Sequence, residues 1–160
     1  MIFITLGSQK FQFDRLLKAV DALVENGTIT EPVFAQTGYS DYQPQHFDFE
    51  PFMSREAFAE KTAQADIVIT HGGTGAIIGA VKQGKKVIAV PRLKKYGEHV
   101  DDHQTQLLEQ FTELGLICAC DDCEKLADAL QEVKATTYNR YESNTQTIID
   151  SIDRFLNGRL

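Results

Sequence analysis

Apolar positions along the chain fall into two alternating patterns. Short, largely apolar runs cover residues 1–6, 32–36, 65–70, 86–91 and 116–120, and Phe47-Asp48-Phe49 is read separately as a short strand after the second. Such runs read as strands buried on both faces of a parallel sheet. Between them, apolar residues recur every three or four positions, as helices require. These stripes are Phe13, Leu16, Leu17, Val20 and Leu23; Ile77, Ile78 and Val81; Val100, Leu107, Leu108, Phe111 and Leu114; and Leu126, Ala129, Leu130 and Val133. Ser54 is placed to cap a further helix carrying Phe58 and Ala59, with Glu56 near its positive end. Asn26-Gly27 and Gly84 are stop signals, and Asp121 or Asp122 is a cap for a short helix. A last stripe predicts a long C-terminal helix: Tyr138, Tyr141, Thr145, Ile148, Ile149, Ile152, Phe155 and Leu156.

Strands alternating with helices imply an α/β fold, a doubly wound Rossmann-like parallel sheet covered on both faces. One domain spanning residues 1–160 accounts for the whole pattern. Ligands of such sheets collect at the carboxyl ends of strands. That rule singles out three turns, at 7–10, 71–76 and 91–104.

Composition narrows the function classes. The chain has 160 residues, 16 basic against 23 acidic side chains and a net charge of -7. That balance offers no broad basic field for nucleic acid. No apolar run approaches the roughly 20 residues of a membrane span. The N-terminus lacks the features of a signal peptide, so a cytosolic location is expected. Cys118, Cys120 and Cys123 lie close together, but a structural zinc site wants four ligands. Thiols packed as small apolar groups are the expected reading, with no metal and no cofactor.

The 71–76 turn carries the first candidate chemistry. A buried strand runs into His71-Gly72-Gly73-Thr74-Gly75, and a helix opens directly after. Glycines let backbone approach a ligand closely, and the first helical turn leaves N–H groups unpaired, which together favour phosphate. Thr74 either caps the helix or donates to a phosphate oxygen, and His71 adds a donor. The pattern is not a P-loop, since no Gly-Lys-Ser/Thr follows four free positions. As a dinucleotide fingerprint it fails at Ile78, where the third glycine belongs, and the first βα turn holds one glycine, Gly7.

The second candidate runs from Arg92 to Gln104. Arg92, Lys94 and Lys95 form a local basic cluster in an acidic protein. His103 falls on the inward stripe of its helix, as either a core histidine or a group aimed at the cleft. Gln104 beside it offers a donor and an acceptor, as sugar hydroxyls require.

At these residues the chain resembles the C-terminal, nucleotide-sugar-binding half of the GT-B glycosyltransferases of the MurG type. It is closer still to small stand-alone subunits of two-part transferases. These include the small subunit of the eukaryotic enzyme that adds the second N-acetylglucosamine to dolichol diphosphate, and above all the PssE-type proteins of bacterial exopolysaccharide and capsule clusters. The resemblance rests on Thr5-Leu6-Gly7-Ser8, Gln36-Thr37-Gly38, residues 65–75, Gly84-Lys85-Lys86 and Asp102-His103-Gln104. The PssE-type signature is Val90-Pro91-Arg92 followed by residues 96–104.

The resemblance implies a UDP-sugar site. Its diphosphate would sit on His71, Gly72, Gly73, Thr74 and Gly75, with Gly7, Ser8 and Gln9 approaching from the first strand. His103 and Gln104 would contact the donor sugar, and Arg92 would help stabilise charge on the leaving UDP. MurG-type enzymes carry a ribose-binding glutamate where this chain has Gly79, so the contact is lost or supplied by Glu98 or Asp102.

It further implies one half of an inverting, metal-independent transferase. A membrane-anchored, PssD-type partner would hold a lipid-linked saccharide acceptor at the inner face of the plasma membrane and supply the general base. The sugar expected from PssE-type pairs is β-1,4-linked galactose from UDP-galactose. Self-association of the isolated chain is the alternative cover for its partner surface. A non-catalytic subunit that stabilises or stimulates a transferase is the second reading.

Overall fold

The structure is a computed structural model. It describes residues 1–7, 9–99 and 103–140, with 142, 147, 150 and 151, and His103 through its backbone. Most of the stripe expected to form the last helix lies outside the described residues.

Among the described residues, six strands form one parallel sheet: β1 (Ile2–Thr5), β2 (Val33–Gln36), β3 (Asp48–Glu50), β4 (Ile67–Thr70), β5 (Lys86–Ala89) and β6 (Cys118–Ala119). Among the described residues, α1 (Asp14–Glu25), α2 (Arg55–Gln64), α3 (Thr74–Lys82) and α4 (His103–Glu113) lie between strands, and α5 (Leu126–Ala135) follows β6. Short 3-10 turns occupy Lys94–Tyr96 and Cys123–Lys125. The strands lie in the order β3-β2-β1-β4-β5-β6. The order reverses between β1 and β4, which pair from Ile2 with Ile67 to Thr5 with Thr70. In doubly wound sheets the ligand crevice opens at that reversal.

The strand pleat sends alternate residues to opposite faces, which builds two cores. Ile2, Ile4 and Leu6 join Leu16, Leu17 and Val20 of α1 and Leu126 and Leu130 of α5. Phe3 faces the other way, with Ile77 and Val81 of α3 and Leu108 and Phe111 of α4. Phe3 also meets Phe58 of α2 edge-on, with ring centroids 5.4 Å apart. Apart from β3, which is shifted by one residue, the strands are one to three residues shorter than the apolar runs, because run ends such as Leu6 and Val90 bend into the connecting loops while staying buried.

Local signals act as expected at two helix starts. Ser54 Oγ accepts from Ala57 N at 3.1 Å, and the Asp122 carboxylate accepts from Glu124 N at 2.9 Å. Cys118, Cys120 and Cys123 are free thiols buried in the first core. Burial pushes the thiols of Cys118 and Cys123 up to about 11, so they stay protonated and behave as apolar groups.

Candidate functional site

Gly7, just beyond β1, has a φ of +75°, a conformation glycine adopts without strain. Its neighbours also forbid a side chain: a Cβ there would stand 2.8 Å from His71 Nε2. On its other side, a Cβ on Gly38 would stand 2.9 Å from the Gly7 carbonyl oxygen. Gln36, at the end of β2, locks this strand tip. Its Oε1 accepts from Thr5 Oγ1 and Leu6 N, and its Nε2 donates to the carbonyls of Gly7 and Pro51.

The neighbouring tip of β4 carries His71 and the glycine turn. Gly73 is the residue before α3, and no side chain caps the helix. Thr74 is already its first helical residue, so the expectation that its hydroxyl caps α3 does not hold. The N–H groups of Thr74, Gly75 and Ala76 therefore open the helix without intrahelical partners. Together with the helix dipole they form an anion-binding end facing the β1–β4 crevice. A Cβ on Gly73 would collide with the His71 ring, whereas one on Gly75 meets nothing within 4 Å.

Gln104, in the first turn of α4, ties this turn to the loop after β5. Its Oε1 accepts from Gly72 N at 3.3 Å and Arg92 N at 2.9 Å. Both partners are donors, which fixes the orientation of the carboxamide. Gln104 thus does not offer a ligand the donor and acceptor pair read from the sequence, because its acceptor is committed to the backbone. Only its NH2 group remains to meet a sugar hydroxyl.

Arg92 is 1% exposed. Its Nη2 donates to the carbonyls of Leu6 at 2.7 Å and Phe11 at 3.2 Å, so it braces the loop after β1 from beneath. Burial lowers its pKa to about 10, against the opposing pull of Glu98, and it remains a cation at neutral pH. Glu98 is fully buried. Its carboxylate accepts from Arg15 Nε and Nη2, each at 3.0 Å, and from Leu93 N. That engagement corrects its candidacy for the ribose: both oxygens face inward and already hold partners.

His71 is 7% exposed and its ring is held neutral. Burial is the main cause, with the charges of Arg92 and His99 adding to it, and together they lower the pKa to about 3. A neutral ring contributes one N–H donor to the crevice rather than a charge.

The structure thus brings Gly7, His71, Gly72, Gly73, Thr74, Gly75, Arg92 and Gln104 to one end of the sheet, with Arg92 supporting it from below. Gln9 is exposed in the loop after β1. Ser8 and Asp102 lie outside the described residues, as does the His103 side chain. Gly79 is exposed on α3 with open space around it. The sequence reading overlooked Arg15 and gave no site role to Gln36, since their partners lie far along the chain and leave no local spacing signal.

A cavity of about 600 Å³ also opens at the amino edge of the sheet, where Lys82, Lys86 and Arg140 surround Val81, Leu116 and Tyr138. It lies at the opposite end of β5 from the glycine turn, away from the strand tips that hold the ligands of such folds.

The glycosyltransferase family 28 C-terminal domain matches residues 1–156. The chain belongs to that family. The UDP-N-acetylglucosamine transferase subunit ALG13 of Candida glabrata is 35% identical over 83 residues, 51% of this chain and 40% of that protein. ALG13 of Homo sapiens is 26% identical over 128 residues, 74% of this chain and 11% of that one. The chain therefore spans less than half the length of these two relatives. The solution structure of ALG13 superposes with a TM-score of 0.61 at 18% identity, covering 97% of this chain and 94% of that one. The calicheamicin glycosyltransferase CalG4 gives 0.60 at 18% identity over 99% of this chain and 38% of its own. MurG of Acinetobacter baumannii gives 0.50 at 20% identity, over 94% and 49%. The family 28 domain here has the fold of the C-terminal half of a GT-B glycosyltransferase. Among the described residues no helix is long and apolar enough to cross a membrane.

Proposed function

We propose that this chain is the donor-binding subunit of a two-part inverting glycosyltransferase. The observation that carries the reading is the uncapped start of α3 at the β1–β4 crevice, where glycines keep the backbone clear around His71. The diphosphate of a UDP-sugar fits this end of α3. There the N–H groups of residues 74–76 and of the His71 ring stabilise the charge that grows on departing UDP. The Gln104 NH2 group orients the donor sugar.

An acceptor held by a second, membrane-anchored protein completes the site. Enclosing both reactants between two halves removes the entropy cost of a bimolecular encounter. The second half, of PssD type, binds a lipid-linked saccharide and provides the base that deprotonates its hydroxyl. The setting is surface polysaccharide synthesis at the inner face of the membrane. The PssE-type resemblance favours galactose as the sugar, and the name of the ALG13 relatives favours N-acetylglucosamine. The test is co-expression with the partner, followed by assay with UDP-galactose, UDP-N-acetylglucosamine and other UDP-sugars. Transfer that disappears in His71→Ala supports the reading, and transfer unaffected by that change overturns it.

One observation favours a non-catalytic, stabilising subunit instead: α3 presents Gly79 where a ribose-binding carboxylate is needed, and Glu98 is not free to replace it. Absence of UDP binding to the assembled pair's donor half would select that second reading.

A further inference from the structure

Three buried side-chain atoms beside the crevice have no hydrogen-bond partner among the described residues: His71 Nδ1, Arg92 Nε and Arg92 Nη1. Their side chains flank one peptide. Arg92 Nη2 donates to the Leu6 carbonyl, and the next residue, Gly7, is pressed against the His71 ring on its Nε2 side. The backbones on either side are also joined, because Gln104 Oε1 bridges Gly72 N and Arg92 N.

Arginine offers donors only. Of the three unpartnered atoms, Nδ1 alone can accept, and it does so only when the ring proton is on Nε2. The other tautomer would leave three buried donors with no acceptor among the described residues, and each unsatisfied group costs about 1–3 kcal/mol. The Arg92 charge also acts on the His71 ring.

The geometry points to Arg92 as a positioning residue that fixes His71 in the Nε2–H tautomer, with one buried water carrying an Arg92 N–H contact to Nδ1. A small polar pocket with two or more protein partners is where internal water persists. The consequence falls at the crevice. Nε2 is the nitrogen beside Gly7, so the fixed tautomer turns a donor, not a lone pair, toward an anion at the start of α3. This last step rests on the donor-binding reading, whereas the tautomer itself does not.

Long-range 15N–1H correlation spectra of the full chain report the proton position on each imidazole, with His71 assigned by its loss in His71→Gln. The expected result near neutral pH is a protonated Nε2 and a bare Nδ1. In Arg92→Met the ring should relax to a mixture of tautomers, and in Arg92→Lys the mixture should be smaller. A protonated Nδ1 in the unsubstituted chain overturns the inference, and that spectrum is decisive even where the variants fold poorly. A tautomer ratio unchanged in a folded Arg92→Met overturns it equally. Titration with UDP then separates the two claims. Weakening by about tenfold in Arg92→Met, the scale of one lost hydrogen bond to a charged ligand, supports the link to the anion. Fixed tautomer with no UDP binding at all removes the donor-binding reading and leaves the role of Arg92 standing.

Discussion

Arg15 and Glu98, 83 residues apart in sequence, form a two-pronged ion pair with both N···O distances at 3.0 Å. The Glu98 side chain is 1% exposed and the Arg15 side chain 20%. The Tyr96 ring covers the guanidinium at 4.5 Å, and Arg15 Nη2 also donates to the Pro91 carbonyl. Burial opposes the Arg15 charge, but the hydrogen bond to Glu98 together with the surrounding negative charge outweighs it and raises the pKa. With the Arg92 brace and the bond from Gln12 Nε2 to the Tyr96 carbonyl, this pair joins the loop after β1 to the loop after β5. The two loops thereby meet across the tip of β4, where His71 lies.

Breaking that pair from one side should be costly. Glu98→Gln should lower the unfolding free energy by about 3 kcal/mol, as expected for a buried ion left without its partner. Urea unfolding measures it. The double variant Arg15→Met with Glu98→Gln should lose clearly less than the sum of the single losses, because the contacts are shared. Strict additivity would show that the two groups are not coupled.

Gln104 separates positioning from ligand contact. Gln104→Glu keeps an oxygen to accept from Gly72 N and Arg92 N, so its stability should stay close to that of the parent. Gln104→Ala strips two backbone donors of their acceptor and should cost about 1–3 kcal/mol. Thermal melts of the two variants, set beside UDP-sugar affinity, distinguish the roles. Affinity should fall in both, since neither retains the NH2 group.

Gly79 is exposed inside α3, and a Cβ there meets nothing within 4 Å. Gly79→Ala should therefore stabilise the chain by about 0.5–1 kcal/mol through helix propensity. Gly79→Glu places a carboxylate at the position that MurG-type enzymes use for ribose. It should tighten UDP binding about fivefold, on the scale of one added hydrogen bond to a charged group. Calorimetric titration reads this gain, and unchanged affinity would mean that the ribose does not lie over α3.

Acid should weaken the fold in two stages. The His71 pKa falls from 6.5 to about 3 on folding, so below pH 6.5 the unfolded chain takes up the proton more readily. Its contribution is complete above pH 6.5 and is lost as pH drops toward 3. Asp21 adds a second loss below its usual 3.8. Burial raises its pKa, but bonds from Tyr42, Gln45 and His46 outweigh that and lower it. Melting temperatures recorded from pH 8 to pH 3 should decline through the first window, and His71→Asn should flatten that part of the curve alone.

The sequence made the sheet legible because a parallel strand buried on both faces needs an unbroken apolar run, and each such run is visible at 2–5, 67–70 and 86–89. The glycine turn was legible for a similar reason, since its chemistry is local. What stayed hidden depends on pairings across long separations. Glu98 reads as a free loop carboxylate until Arg15 is placed against it. Gln104 reads as a bifunctional ligand until two backbone donors arrive at its oxygen. Asp21 sits within α1 as an ordinary helical acid, yet it anchors the 42–46 loop through four hydrogen bonds. None of these has a period or spacing to betray it.

The outer strands of the sheet carry a consequence for how this chain meets others. β3 is three residues long and β6 two. Asp48 and Glu50 of β3 are both exposed, which sets negative charge along that border. So short a row of unpaired backbone groups is a poor template for another chain's strand, and the carboxylates repel acidic copies of this same protein. Joining by continuation of the sheet is therefore disfavoured at both flanks. That leaves the strand-tip loops and helix faces of the described residues as the surfaces open to contact with another chain.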